Sequence, residues 1–298
     1  MKNIRSYTFG ATLLLLASGT ALAEPNDGDF RSKQSGPWTS NSTWERYSAK
    51  SALTGGPGWL DATTFPSGGQ LATVREGHTV QTSDALRNIG TLIIEDSATV
   101  PGRMEIASTT AWAFQWLIVD TALQMEHALA NPGEIVFTDV GTAGPTPKLL
   151  LTANVAIEGN VRSQAAVRGG AIETTGGAVL TIGPSGVLEA SQGKLTLTAT
   201  FEMEGTVRAN GPYLLWVSGA PRPGSSGKWE VTHDSAILRF NHTGPFTIDN
   251  SAASMLVQAG TLDIDQTFTF HGGLKKTGGA IDVAAGKTLT VSGRYLGN

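Results

Sequence analysis

Short apolar segments recur from Leu71 onward, separated by Gly, Asp, Asn or Ser. The clearest lies in residues 194–208. Leu195, Leu197, Ala199, Phe201 and Met203 sit at period two, and Gly205, Val207 and Ala209 keep the same parity. Successive strand side chains point to opposite faces. This spacing therefore predicts an apolar inner face and an outer face bearing threonine and glutamate. Leu262 and Ile264 alternate with Asp263 and Asp265, and Phe268 and Phe270 follow. Ile281, Val283 and Ala285 precede Gly286, with Leu289 and Val291 beyond it. Little helical periodicity follows Pro132. Residues 111–130 are ambiguous: they are alanine-rich, with Leu117, Leu123, Met125 and Leu129, and read as a buried helix or as strands. The run Trp116-Leu117-Ile118-Val119 favours a strand, a turn at Asp120, then a second strand.

The segments repeat. Ile157-Glu158-Gly159-Asn160-Val161-Arg162 is echoed by Met203-Glu204-Gly205-Thr206-Val207-Arg208, 46 residues on, which suggests two periods of 23. A period in the twenties matches one coil of a β-solenoid. One coil cannot bury its own inner face, whereas stacked coils bury a continuous apolar row. The expectation is an all-β, single-stranded, right-handed parallel β-helix over residues 70–298, with an irregular N-terminal cap over residues 24–69. About ten coils at a ladder spacing near 4.8 Å would make a rod on the order of 50 Å long. The competing architecture is an antiparallel β-sandwich, or two, which shares the alternation but calls for hairpin dipeptides such as Asn-Gly.

Residues 1–23 read as a secretory signal. Lys2 and Arg5 form a basic start, residues 9–17 an apolar core too short to span a bilayer, and Ala21-Leu22-Ala23 a small-x-small cleavage site. The expected location is therefore secreted, extracellular or on the outer cell surface. Without that segment 19 basic and 25 acidic residues remain. That balance, with no basic tail, argues against nucleic acid as a partner. Cysteine is absent, which excludes disulfides, zinc thiolates and cysteine nucleophiles.

Asp29-Phe30-Arg31-Ser32 through Trp38, Thr43-Trp44-Glu45, Pro66 and Val74-Arg75-Glu76-Gly77-His78-Thr79-Val80 resemble the opening of the G8 domain family. Ile89-Gly90-Thr91-Leu92-Ile93-Ile94-Glu95, Trp116-Leu117-Ile118-Val119-Asp120 and Leu123-Gln124-Met125 continue the likeness, which covers roughly residues 28–140. The sequence departs from the family's glycine pattern at Asp120-Thr121-Ala122 and near His127. The resemblance implies a surface-exposed, β-rich protein that continues as a bacterial pectin-lyase-like β-helix, some relatives of which handle polysaccharides. It brings no catalytic residues with it.

The candidate chemistry is sparse. Trp38, Trp44 and Trp59 either cover apolar surface at the cap or form an aromatic carbohydrate-binding platform. Asp263 and Asp265, two apart on one strand face, are candidates for a general acid and a water-activating base, or for calcium ligands. The alternative is two solvated outer residues. A glycan-cleaving site would add charged residues from adjacent coils. The nearest bases in sequence, Lys275 and Lys276, read as a glycine-flanked turn, while Arg162 and Arg208 would stack in an outer ladder without an acidic cluster nearby. Asn26-Asp27-Gly28-Asp29 is an acidic turn with some capacity for structural calcium but without EF-hand spacing. No metal motif includes His78, His127, His233, His242 or His271, and no cofactor fingerprint or Gly-x-Ser-x-Gly elbow occurs.

The reading is a non-catalytic secreted or cell-surface solenoid with an adhesin-like or matrix role. Its partner would be polysaccharide or a cell-surface protein. The alternatives are a polysaccharide lyase or glycoside hydrolase, and a self-assembling filament protein whose homo-oligomers form through unpaired end strands.

Overall fold

The computed structural model describes residues 24–50, 56–82, 87–108, 116–139 and 145–297. The proposed leader lies outside them. Among the described residues the only helical element is the short 3-10 turn Asn41–Thr43; every other regular element is a strand. The strands form one 13-stranded sheet, one 11-stranded sheet and two three-stranded sheets.

Residues 194–208 show how the sequence generates this arrangement. The chain passes through Leu195–Leu197 in the 13-stranded sheet, Phe201–Met203 in a three-stranded sheet and Thr206–Ala209 in the 11-stranded sheet. It then returns to the 13-stranded sheet at Leu214–Val217. One such passage is called a circuit below. Parity survives both corners: Leu195, Leu197, Ala199, Phe201, Met203, Val207 and Ala209 are all buried. Gly205 stands at the second corner, where a Cβ would collide with the carbonyl oxygens of Gly183 and Gly186 in the preceding circuit. Only glycine permits that approach.

Apart from the two strands Trp44–Ser48 and Gly58–Asp61, each strand pairs with its counterpart one circuit away, and these pairings are parallel. The antiparallel sandwich is therefore overturned. Inner positions stack in files. Leu117, Leu149, Ile172, Leu197, Val217, Phe240, Ile264 and Val283 are successive register partners. All but Val283 are buried. Their spacing runs from 19 to 32 residues, so no fixed period of 23 exists. The 46-residue echo divides unequally: Asn160 pairs with Val187, and Val187 with Thr206, in steps of 27 and 19.

Aromatic side chains fill the later circuits. Trp229 and Phe240 have ring centroids 5.0 Å apart, Phe240 and Phe268 4.9 Å, and Phe246 and Phe268 5.0 Å in an edge-on arrangement. Each ring is almost wholly buried. Burial of one such side chain contributes about 1.5–3 kcal/mol.

Two local expectations are corrected. Trp116–Met125 is one continuous strand, with no turn at Asp120. Its register with the preceding strand slips between Ile89↔Val119 and Thr91↔Ala122, so the extra residue is absorbed as a bulge. Residues 111–115 lie outside the described residues. The N-terminal segment is more regular than expected. Phe30–Ser32 pairs parallel with Gly68–Val74, and Gly36–Pro37 pairs parallel with Thr79–Thr82, so a first circuit lies inside the cap. Trp44–Ser48 and Gly58–Asp61 then add antiparallel to that edge of the 13-stranded sheet.

Candidate functional site

The three cap tryptophans have different fates. Trp38 and Trp44 are 1% and 0% exposed, with ring centroids 5.0 Å apart in an edge-on pair. The Trp38 indole N–H donates to the Pro66 carbonyl at 2.9 Å, and that of Trp44 to the Trp38 carbonyl at 2.8 Å. Neither ring can offer a face to a sugar, because each plugs the core and spends its polar atom inside. Trp59 is half-buried, with the Arg31 guanidinium 4.2 Å above its ring and Tyr47 against its edge.

Asp263 lies in Thr261–Ile264 on the outer side of the 13-stranded sheet, and Asp265 follows directly. Register brings Arg239 beside Asp263 on one side and Asp282 on the other. Arg239 meets Asp263 at 2.7 Å and Asp265 at 3.5 Å. The Asn241 amide also donates to Asp265, at 3.4 Å. The candidate acids are thus bound to a cation from the preceding circuit. Lys275 and Lys276 are not in a turn: they end the strand Gly273–Lys276 of the 11-stranded sheet.

The outer face of the 11-stranded sheet carries a file that sequence spacing could not reveal. Arg162, Glu189, Arg208 and Glu230 are successive register partners. Arg208 meets Glu189 at 3.6 Å and Glu230 at 2.7 Å. Further back, Glu134 pairs with Arg162 and lies 3.6 Å from Arg103, which also meets Glu105 at 2.9 Å. The two arginines read earlier as an isolated basic ladder are interleaved with glutamates. Burial, and then the neighbouring Arg103, pulls the Arg162 pKa down, while Glu189 opposes this.

The remaining candidates serve turns. Asp29 accepts from the Asn26 amide at 2.6 Å and Asp27 from the Ala49 amide at 3.0 Å. His78 shares a hydrogen bond with the Ser32 hydroxyl at 2.8 Å, and burial followed by Arg75 lowers its pKa. Glu126 is pushed up by burial, then by Glu95 and Asp96. Among the described residues, no group of three or more His, Asp or Glu side chains is arranged to hold a metal ion.

One concavity of about 360 Å³ lies on the third face of the circuits, the one that carries the two three-stranded sheets. Its lining includes Pro221, Pro223, His242, Pro245, Thr247 and Asp249. It marks a break in the ladder. One three-stranded sheet ends at Phe201–Met203, the other starts at Phe246–Ile248, and a lone bridge from Phe201 to Pro221 lies between them. Proline has no N–H to give a ladder, so the circuits part here. Side chains pin the two circuits together instead. His242 Nδ1 donates to the Ser218 carbonyl at 3.0 Å. The Gly224 amide donates to Asp249 Oδ1 at 2.9 Å, and the Asn250 amide group to the Gly224 carbonyl at 2.8 Å. Pro221-Arg222-Pro223-Gly224 and Gly244-Pro245 carry turn-forming residues, but their positions in the sequence do not indicate that they face one another.

Comparison with protein-family models, curated proteins and solved structures finds no match, so the G8 resemblance of residues 28–140 gains no support from relatives.

Proposed function

We propose that the chain is a secreted or cell-surface β-solenoid of adhesin-like or matrix type that contacts polysaccharide along its side without cleaving it. The fold assigned is a single-stranded right-handed parallel β-helix. Parallel pairing between successive circuits supports the winding. The hand follows from the right-handedness of about 98% of parallel strand crossovers in one sheet. The observation that carries the functional reading is the state of the outer charges. Asp263 and Asp265 are engaged by Arg239, and Glu134, Glu189 and Glu230 by arginines of neighbouring circuits. Carboxylates held this way stiffen a lateral face. A general acid and base would need to be free to exchange protons with substrate.

The test incubates purified protein with neutral and acidic glycans, with and without calcium. Retention of a glycan with no new reducing ends and no unsaturated product is the expected result. Product formation abolished by Asp263→Asn or Asp265→Asn would replace this reading with that of a hydrolase or lyase.

A further inference from the structure

The break in the third-face ladder leaves a strand edge unused. The Phe246 amide donates to Thr267 and the Ile248 carbonyl accepts from His271, both toward the following circuit. Alternation along a strand then sends the Thr247 amide and carbonyl the other way, toward Pro221. Among the described residues no strand pairs with Phe246–Ile248 on that side. The main chain of Thr247 therefore offers one donor and one acceptor side by side at the cleft.

Nearby side chains extend this set. Asp249 spends Oδ1 on the Gly224 amide, which leaves Oδ2 as an acceptor. His242 carries its proton on Nδ1, where it meets the Ser218 carbonyl. In the neutral ring Nε2 is then an acceptor. The walls are pyrrolidine rings of Pro221, Pro223 and Pro245, apolar and stiff. Hydrogen bonds at both ends fix the gap before any ligand arrives, which reduces the entropy cost of binding.

We propose that this cleft is a binding subsite for one or two rings of a neutral saccharide, an assignment that rests on the glycan-contact reading above. Sugar hydroxyls both donate and accept, as the Thr247 main chain and the Asp249 and His242 acceptors require. The C–H face of a sugar ring suits the proline walls. The volume lies at the small end of the range for small-molecule sites, roughly 300–1,000 Å³. The lining contains a carboxylate and no lysine or arginine, which selects against acidic sugars.

The experiment has two stages. An array of neutral and acidic oligosaccharides first identifies a bound glycan. Calorimetric titration with it then compares wild type, Thr247→Tyr, Asp249→Asn and Thr181→Tyr. Thr247→Tyr fills the cleft from an exposed position. Asp249→Asn keeps an oxygen for the Gly224 amide but turns the second acceptor into a donor. Thr181→Tyr makes the same change in the other three-stranded sheet, within Leu180–Ile182. Circular dichroism and the melting temperature verify that each variant folds. A neutral ligand weakened at least about tenfold by both cleft variants and untouched by Thr181→Tyr supports the subsite. A wild-type protein that binds glycan with all variants equal to it overturns the subsite and leaves the contact reading standing. Preference for acidic glycans overturns the neutral assignment. Absence of binding to any glycan overturns the contact reading, and the subsite with it.

Discussion

Glu134→Gln tests whether the outer charges act as a structural file. Glu134 is 5% exposed and lies between Arg103 and Arg162, whose side chains retain 28% and 37% exposure. The substitution preserves shape and removes the charge between the two guanidinium groups, which leaves Arg103 with Glu105 and Arg162 with its register partner Glu189. At an effective dielectric near 20, unit charges 3.6 Å apart interact by roughly 4–5 kcal/mol. Solvent screening of the half-exposed arginines and the remaining amide oxygen reduce the net cost to about 2–3 kcal/mol. Urea unfolding followed by tryptophan fluorescence reads the loss. Hydrogen exchange localises it to Arg103–Ser108, Glu134–Asp139 and Asn160–Ser163, which pair through this position. The double variant Glu134→Leu/Arg162→Met should recover most of the loss, since it also removes the Arg162 charge that lost its nearest partner. A Glu134→Gln midpoint within about 0.5 kcal/mol of wild type would refute the reasoning.

Glu126 has a pKa raised above about 4.5, so its contribution to stability is complete below that value and is lost as pH rises through the raised pKa. Glu126→Gln should accordingly raise the melting temperature at pH 7 and have no effect near pH 3; an equal effect at both would contradict the account by burial and like charge. Phe240 is fully buried and touches Trp229, Phe246 and Phe268 with ring separations of 4.9–5.2 Å. Phe240→Ala should cost about 3–5 kcal/mol in urea unfolding, and Phe240→Leu much less; equal losses would indicate that the rings are not closely packed.

Legibility of the fold followed the strength of the local signal. Inner and outer faces were readable in residues 194–208 because parity continues unbroken through Ala199 and Gly205. Asp120 misled because an acidic residue in a strand run resembles a stop. In the fold its carboxylate accepts from the Thr152 hydroxyl at 2.8 Å, one circuit on, and a bulge takes up the extra length. Trp38 and Trp44 gave two readings since an indole suits a sugar platform and a core plug equally well by composition. Only the carbonyls of Pro66 and Trp38 waiting inside separate them. Lys275 and Lys276 looked like turn residues because glycines flank them, yet the strand Gly273–Lys276 begins at one of those glycines.

The amino-acid order alone determined which side chains point inward along clearly alternating segments such as residues 194–208, and that no disulfide assists. Period-two alternation, glycine and the absence of cysteine are local properties, readable without knowledge of any neighbour. The three-dimensional fold decided who stands beside whom. Circuits of 19 to 32 residues place Arg239 beside Asp263, Glu189 between Arg162 and Arg208, and Pro221 across from Thr247. Lateral partners in a parallel stack depend on the length of every intervening loop, and a change of one residue turns a side chain to the opposite face. Chemistry on the outside of this protein is therefore a product of loop lengths, whereas its interior is a product of alternation.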